Sequence, residues 1–182
     1  MEAATDADLM QAYARGDMAA FDTLYARHRG PLYRFLLGAT RDRASAEELF
    51  QETWQRVVRA RHAYRPQAAF RTWLWRIARN LVIDHARRRK PVVTGEPAAL
   101  AIAGAAAPAV HEPLRALALS EDWSQLLEAL EALSEAQRIA FLLRMEEGLS
   151  VQDIADVTGV GRETAKSRLR YAMKHLRQRV QP

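Results

Sequence analysis

The sequence predicts an all-α protein of two helical lobes joined by a flexible linker, and three observations carry that expectation. Apolar residues recur every three or four positions in successive segments, and no run alternates as a strand would. Ser, Asp and Gly punctuate those segments in the manner of helix caps. The stretch Pro91–Pro113, PVVTGEPAALAIAGAAAPAVHEP, holds four of the seven prolines and two glycines but few large apolar residues. It divides the chain into lobes at 1–90 and 114–182, each the size of a small domain.

In the first lobe, Asp6 is placed to cap a helix through Tyr13 that Gly16 ends. A second helix begins near Asp17, with Phe21, Leu24, Tyr25 and His28 on one side. Gly30-Pro31 should interrupt or kink it before Leu32–Leu37 resumes. Ser45-Ala46-Glu47-Glu48 reads as a capping box, starting a third helix that carries Leu49, Phe50, Thr53, Trp54 and Val57. Arg65-Pro66-Gln67 breaks the chain, and FRTWLWRIARNLVIDHARRRK, Phe70–Lys90, forms the fourth helix.

The second lobe follows the same grammar. Leu126, Leu127, Leu130 and Leu133 mark one helix. Ser134-Glu135-Ala136-Gln137 is a capping box before Ile139, Leu142, Leu143 and Met145, and Gly148 ends that segment. Ser150 caps a short helix, Val151–Thr158. Gly159 makes a turn, and a long basic helix follows from about Gly161 to Arg179.

Composition narrows the functional classes. With 182 residues and 49% apolar content the chain can bury sizeable cores. A net charge of +5 suits an anionic partner such as nucleic acid. The absence of cysteine excludes disulfides and thiolate metal sites. No apolar run approaches the ~20 residues that span a membrane, and MEAATDADLMQAYARGD lacks the basic start and apolar core of a signal peptide. A soluble, cytoplasmic protein without membrane insertion is expected. The five histidines are scattered and no H-E-x-x-H or phosphate-binding glycine loop occurs, so no catalytic residue, metal or cofactor is expected.

Short helix, glycine-containing turn and longer helix is the arrangement of a helix-turn-helix, whose second helix enters the major groove. Ile154, Ala155, Val160 and Leu169 are its expected small core. Arg162, Glu163, Thr164, Lys166, Ser167, Arg168 and Arg170 fall in the first turns of the second helix, where side chains reach base edges and phosphates. A helical hairpin with a solvated basic face is the plainer alternative. Seven basic residues against one acid between Arg162 and Arg179 argue against it, because solvated helices usually interleave both signs.

Phe70–Lys90 poses the same problem, with seven basic residues, one acid and two tryptophans. Phe70, Trp73, Ile77 and Leu81 share a face and should pack inward. Trp75 is then about 200° around the helix from Trp73. It should project outward with Arg76, Arg79 and Asn80, a surface suited to base stacking and phosphate contact on single-stranded DNA. Two plainer readings stand beside this: another helix covers Trp75, and Arg87–Lys90 complements the helix macrodipole.

AFDTLYARHRGPLYRFL, AEELFQETWQRVVRA, FRTWLWRIARNLVIDHARRRK and LSEAQRIAFLLRMEEGLSVQDIADVTGV, the last followed by TAKSRL, occur in order. Together they closely resemble the extracytoplasmic-function (ECF, group 4) sigma factors of the bacterial sigma-70 family. The resemblance implies a region 2 lobe and a region 4 lobe, binding to core RNA polymerase through its β and β′ subunits, and recognition of promoter DNA at minus-ten and minus-thirty-five elements. It implies promoter opening without covalent chemistry, a cognate anti-sigma factor and a monomer in the free form.

By that resemblance Glu48, Leu49, Gln51, Glu52 and Trp54 are polymerase contacts, although Leu49 and Trp54 also suit a core. Tyr64–Phe70 resembles a loop that captures a flipped base. Tyr64, Phe70, Trp75, Arg76, Arg79, Asn80, Arg87 and Arg88 are then the minus-ten set, and Arg162–Arg170 the minus-thirty-five set. Gly161, Glu163 and Tyr171 depart from the family's usual residues, which bears on sequence preference. Two rival readings remain: a DNA-binding regulator that never engages polymerase, and a decoy that sequesters an anti-sigma factor.

Overall fold

The computed structural model describes residues 4–65, 69–89 and 121–179, and every regular element among them is helical. In chain order these are α1 (Asp6–Ala14), α2 (Met18–Thr40), α3 (Arg43–Arg59), α4 (Phe70–Arg89), α5 (Glu121–Glu131), α6 (Glu135–Glu147), α7 (Val151–Thr158) and α8 (Arg162–Arg179). The Pro91–Pro113 segment and the Pro66-Gln67 break lie outside the described residues.

The caps show why most boundaries fall where the sequence predicts. Ser134 and Gln137 exchange bonds in a capping box at α6, and Ser150 and Asp153 do the same at α7. Gly148 and Gly159 end those helices at φ 60° and 66°, a left-handed conformation glycine adopts without penalty. Two N-termini differ. Thr5, not Asp6, caps α1 in a box with Asp8. Asp42 caps α3, so Ser45 lies inside its first turn and donates to the Asp42 carboxylate instead of capping.

Helix α2 also departs from expectation, running without interruption through Pro31. An interior proline forfeits one backbone bond and costs about 3 kcal/mol. Here Leu24, Leu32, Tyr33, Phe35 and Leu36, all nearly inaccessible to solvent, anchor the helix on both sides of that point. Burying each such side chain is worth about 1.5–3 kcal/mol, so packing outweighs the local preference.

The first lobe packs α2 against α1, α3 and α4 around an aromatic cluster. Phe21, Tyr25, Phe50 and Trp54 meet edge to face, with the Tyr25 and Trp54 centroids 4.9 Å apart. The second lobe folds α6, α7 and α8 around Ile139, Leu143, Ile154, Ala155, Ala165 and Ala172. Val160 and Leu169, expected in that core, only flank it. The two lobes are not apart: α2 packs on α6 and α4 packs on α7.

Candidate nucleic-acid and polymerase interfaces

On α8 all but one of the positions predicted to face DNA are exposed. Arg162, Glu163, Thr164, Lys166, Ser167 and Arg170 are exposed and Arg168 is half-buried, while Ala165 between them is buried. The alternation follows from helix period, since Ala165, Ala172 and Leu176 face α6 and α7. Lys166 stands 3.8 Å from Glu163, a loose surface pair that leaves its ammonium available. Tyr171 continues this exposed face, its ring stacked on His175 at 6.4 Å.

On α4 the structure corrects the tryptophans. Trp75 is fully buried, its ring 5.1 Å from Phe35 of α2, and offers no stacking surface. Trp73, expected in the core, is the partly exposed one. Helix α4 contacts α2 and α3 on one side and α7 on another, so its apolar surface is not one stripe. Leu74, Trp75, Ala78 and Val82 are buried beside Phe70 and Leu81, while Ile77 is only partly so. Phe70 and Tyr64, predicted to meet a base, are also buried. They hold Trp73 in place, with ring centroids 5.8 and 5.2 Å from it.

The cations of α4 fall into two groups. Arg87 and Arg88 are exposed at the helix end, and Asn80 is exposed and accepts from Arg79 at 3.1 Å. Arg76 Nε instead donates to the backbone carbonyl of Asp156 on α7 at 3.0 Å. Arg79 is half-buried; burial and the nearby Arg168 depress its guanidinium below the ordinary value.

On α3, Glu48 and Gln51 are exposed, and Glu52 pairs with Arg56 at 2.7 Å. Leu49 and Trp54 are fully buried in the aromatic cluster, which removes both from a polymerase-contact surface. Their spacing from Phe50 and Val57 puts them on the inward face of α3, opposite the polar residues.

Between the lobes lies a network that nothing in the sequence announced. Arg34 Nε donates to Glu146 at 2.6 Å. Burial raises the Glu146 carboxyl above its ordinary value, partly countered by Arg34. His28 Nε2 bonds Asp6 at 2.7 Å, and its Nδ1 stands 3.7 Å from Glu147, an ion-pair distance too long for a hydrogen bond. Burial disfavours the charged imidazole, but the two carboxylates prevail and push His28 up to about 9. Among the described residues no group of His, Asp and Glu is arranged to hold a metal ion, and no helix is long and apolar enough to cross a membrane.

Comparison with known proteins gives concordant matches. Residues 24–92 match Sigma-70 region 2, and residues 123–176 match Sigma-70, region 4. The RNA polymerase sigma-H factor of Pseudomonas aeruginosa is 32% identical over 97% of this chain and 94% of its own length. The ECF RNA polymerase sigma factor SigM of Mycobacterium tuberculosis is 31% identical over 94% of this chain and 83% of its own. Among solved structures, the sigma factor RpoE of Bartonella quintana, in complex with the anti-sigma factor NepR, superposes with a TM-score of 0.67 at 25% identity, covering 88% of this chain and 96% of that one. CnrH, solved with the cytosolic domain of CnrY, shares the fold with a TM-score of 0.71 at 23% identity over 95% of both chains.

Proposed function

The chain belongs to the ECF sigma factors of the sigma-70 family, and from that premise we propose that it directs core RNA polymerase to specific promoters and assists their opening. Docking on polymerase falls to the exposed polar face of α3, Glu48, Gln51 and Glu52, which suits a basic partner helix. The minus-ten element meets α4 through Arg76, Arg79, Asn80, Arg87 and Arg88, with the partly exposed Trp73 in place of Trp75. The minus-thirty-five element meets α8 through Arg162, Glu163, Thr164, Lys166, Ser167, Arg168 and Arg170. An anti-sigma factor is an expected regulator, as RpoE is bound to NepR in its solved complex.

The observation that carries this reading is that one chain pairs a helix-turn-helix with a second cationic helix in a separate lobe. A regulator that only binds duplex DNA has no use for the second. A decoy has no use for the arginines of α4 and the exposed cations of α8. No bond is made or broken by the protein: unstacking a base costs a few kcal/mol, offset by stacking and phosphate contacts on the captured strand. The site of action is then the cytoplasm.

The test is run-off transcription with core bacterial polymerase and genomic promoter fragments. Transcripts that require the protein support the reading. Absence of both transcripts and core binding replaces it with the regulator.

A further inference from the structure

The fold contains a polar cavity that none of the residues assigned above to DNA or polymerase lines. It measures about 450 Å³ and lies where the C-terminal ends of α2, α4 and α5 meet the start of α6. Pockets of that size accommodate small organic ligands. Arginines from three elements line it: Arg41 just past α2, Arg89 at the end of α4 and Arg138 within α6.

Arg138 marks the cavity as a binding site. It is 7% exposed, and among the described residues its bonds run only from Nη1, to the backbone carbonyls of Leu130 and Leu133 at 3.4 Å each. Its Nε is shielded from solvent and has no partner. A buried guanidinium without a close counter-charge is costly to the fold. Burial and the nearby Arg41 depress its guanidinium below the ordinary value, outweighing the pull of Glu135 and Glu131. His85 repeats the pattern. It lines the same cavity, and its Nε2 is likewise shielded and unpartnered.

The other two arginines are available for exchange. Arg41 pairs with Glu131 at 3.2 Å and Arg89 with Asp42 at 3.7 Å, but both pairs are exposed and therefore weak. Arginine's planar fork binds phosphate bidentately, so three guanidiniums around one space suit a phosphate group. Two further features narrow the ligand. The cavity far exceeds the needs of a bare phosphate, since one water fills only about 30 Å³. Carboxylates of Asp42, Glu131 and Glu135 also line it, which repel a polyphosphate but accept from hydroxyl groups.

We propose that this cavity binds a phosphomonoester metabolite carrying free hydroxyls, of the class of sugar phosphates and nucleoside monophosphates. Its phosphate pairs with the buried Arg138 and the more exposed Arg41 and Arg89, and its hydroxyls donate to the carboxylates. The chain thereby responds to a small molecule directly. The site stands on geometry and charge, independently of the sigma-factor reading.

Isothermal titration of the full chain with adenosine monophosphate, glucose 6-phosphate and inorganic phosphate, at constant ionic strength, tests it. At least one phosphomonoester should bind a single site about tenfold or more tighter than inorganic phosphate, and the tighter of the two identifies the source. Because the ligand touches α2, α4 and α6 at once, saturating it should raise the thermal midpoint. Arg138→Met should weaken binding about tenfold, the loss expected for one charged hydrogen bond. Arg89→Ala should weaken it several-fold. Ala86→Phe fills the cavity without removing a charge and should weaken it about tenfold. Arg59→Ala removes an exposed arginine outside the cavity and should bind like wild type.

Arg138→Met is the variant whose fold is at risk, so circular dichroism accompanies each, and Arg89→Ala and Ala86→Phe keep the test decisive. The proposal is overturned if neither phosphomonoester binds saturably at millimolar concentration, or if inorganic phosphate binds as tightly as both. Wild-type affinity in any folded cavity variant overturns it as well. So does an equal loss in Arg59→Ala, which would reduce the binding to general attraction by a basic surface.

Discussion

Arg34 of α2 and Glu146 of α6, 112 residues apart in the chain, share a 2.6 Å hydrogen bond with the carboxylate almost shielded from solvent. Arg34→Ala leaves that carboxylate buried without its cation, which should cost about 1–3 kcal/mol. Because burial already raises the Glu146 carboxyl, it can take up a proton and limit the loss. Chemical denaturation should therefore show a larger penalty at pH 8 than at pH 5, and Arg34→Ala with Glu146→Leu should recover part of it. Equal penalties at both pH values would contradict this account of the pair.

His28 gives a second pH signature. Its folded value, about 9, lies above the ordinary 6.5, so the charged form is favoured by folding. The stability this supplies is fully present below pH 6.5 and is lost as pH rises through about 9. The full shift corresponds to at most about 3 kcal/mol. The wild-type thermal midpoint should fall across that window, and His28→Gln should flatten the slope. Asp6, held below the usual carboxylate range chiefly by its bond to His28, contributes stability present above about pH 4 and lost on further acidification.

The two tryptophans of α4 should separate by phenotype. Trp75→Ala empties a fully buried site against Phe35 and should destabilise by about 3–5 kcal/mol. Trp73→Ala removes a partly exposed ring and should cost less stability. It should weaken single-strand binding by the ~1–3 kcal/mol typical of a stacked base. Denaturation curves and strand titrations on both variants check the assignment.

Lys166 and Arg170 should each contribute to duplex affinity through phosphates or base edges. If Lys166 meets a phosphate, Lys166→Ala should weaken binding across sequences and reduce the log–log salt slope by about 0.9. An unchanged slope would move Lys166 to base readout or out of the interface.

The helical class, the helix-turn-helix and most caps were legible because they rest on local chemistry. Ser134 with Gln137, Ser150 with Asp153, and the glycines at 148 and 159 act within a few residues of themselves. Asp42 was missed as the α3 cap because Ser45 and Glu48 imitate a capping box one turn further on. The orientation of α4 was not legible, since a helix covered from two directions has no single apolar stripe and spacing alone cannot choose between Trp73 and Trp75. Leu49 and Trp54 illustrate the same limit: resemblance marks the helix that docks, and only packing separates its inward from its outward face. The close approach of Gly38 in α2 to Leu142 in α6 was beyond any local signal, because it pairs positions from different lobes.

The central claim is that different helices of one chain dock on polymerase and open the promoter. The most direct measurement is permanganate reactivity of promoter thymines with holoenzyme carrying Arg76→Glu and Arg79→Glu. The account predicts near wild-type affinity for core polymerase together with loss of reactive thymines around the start site. Loss of polymerase binding and opening together, or full opening by the double variant, would contradict it.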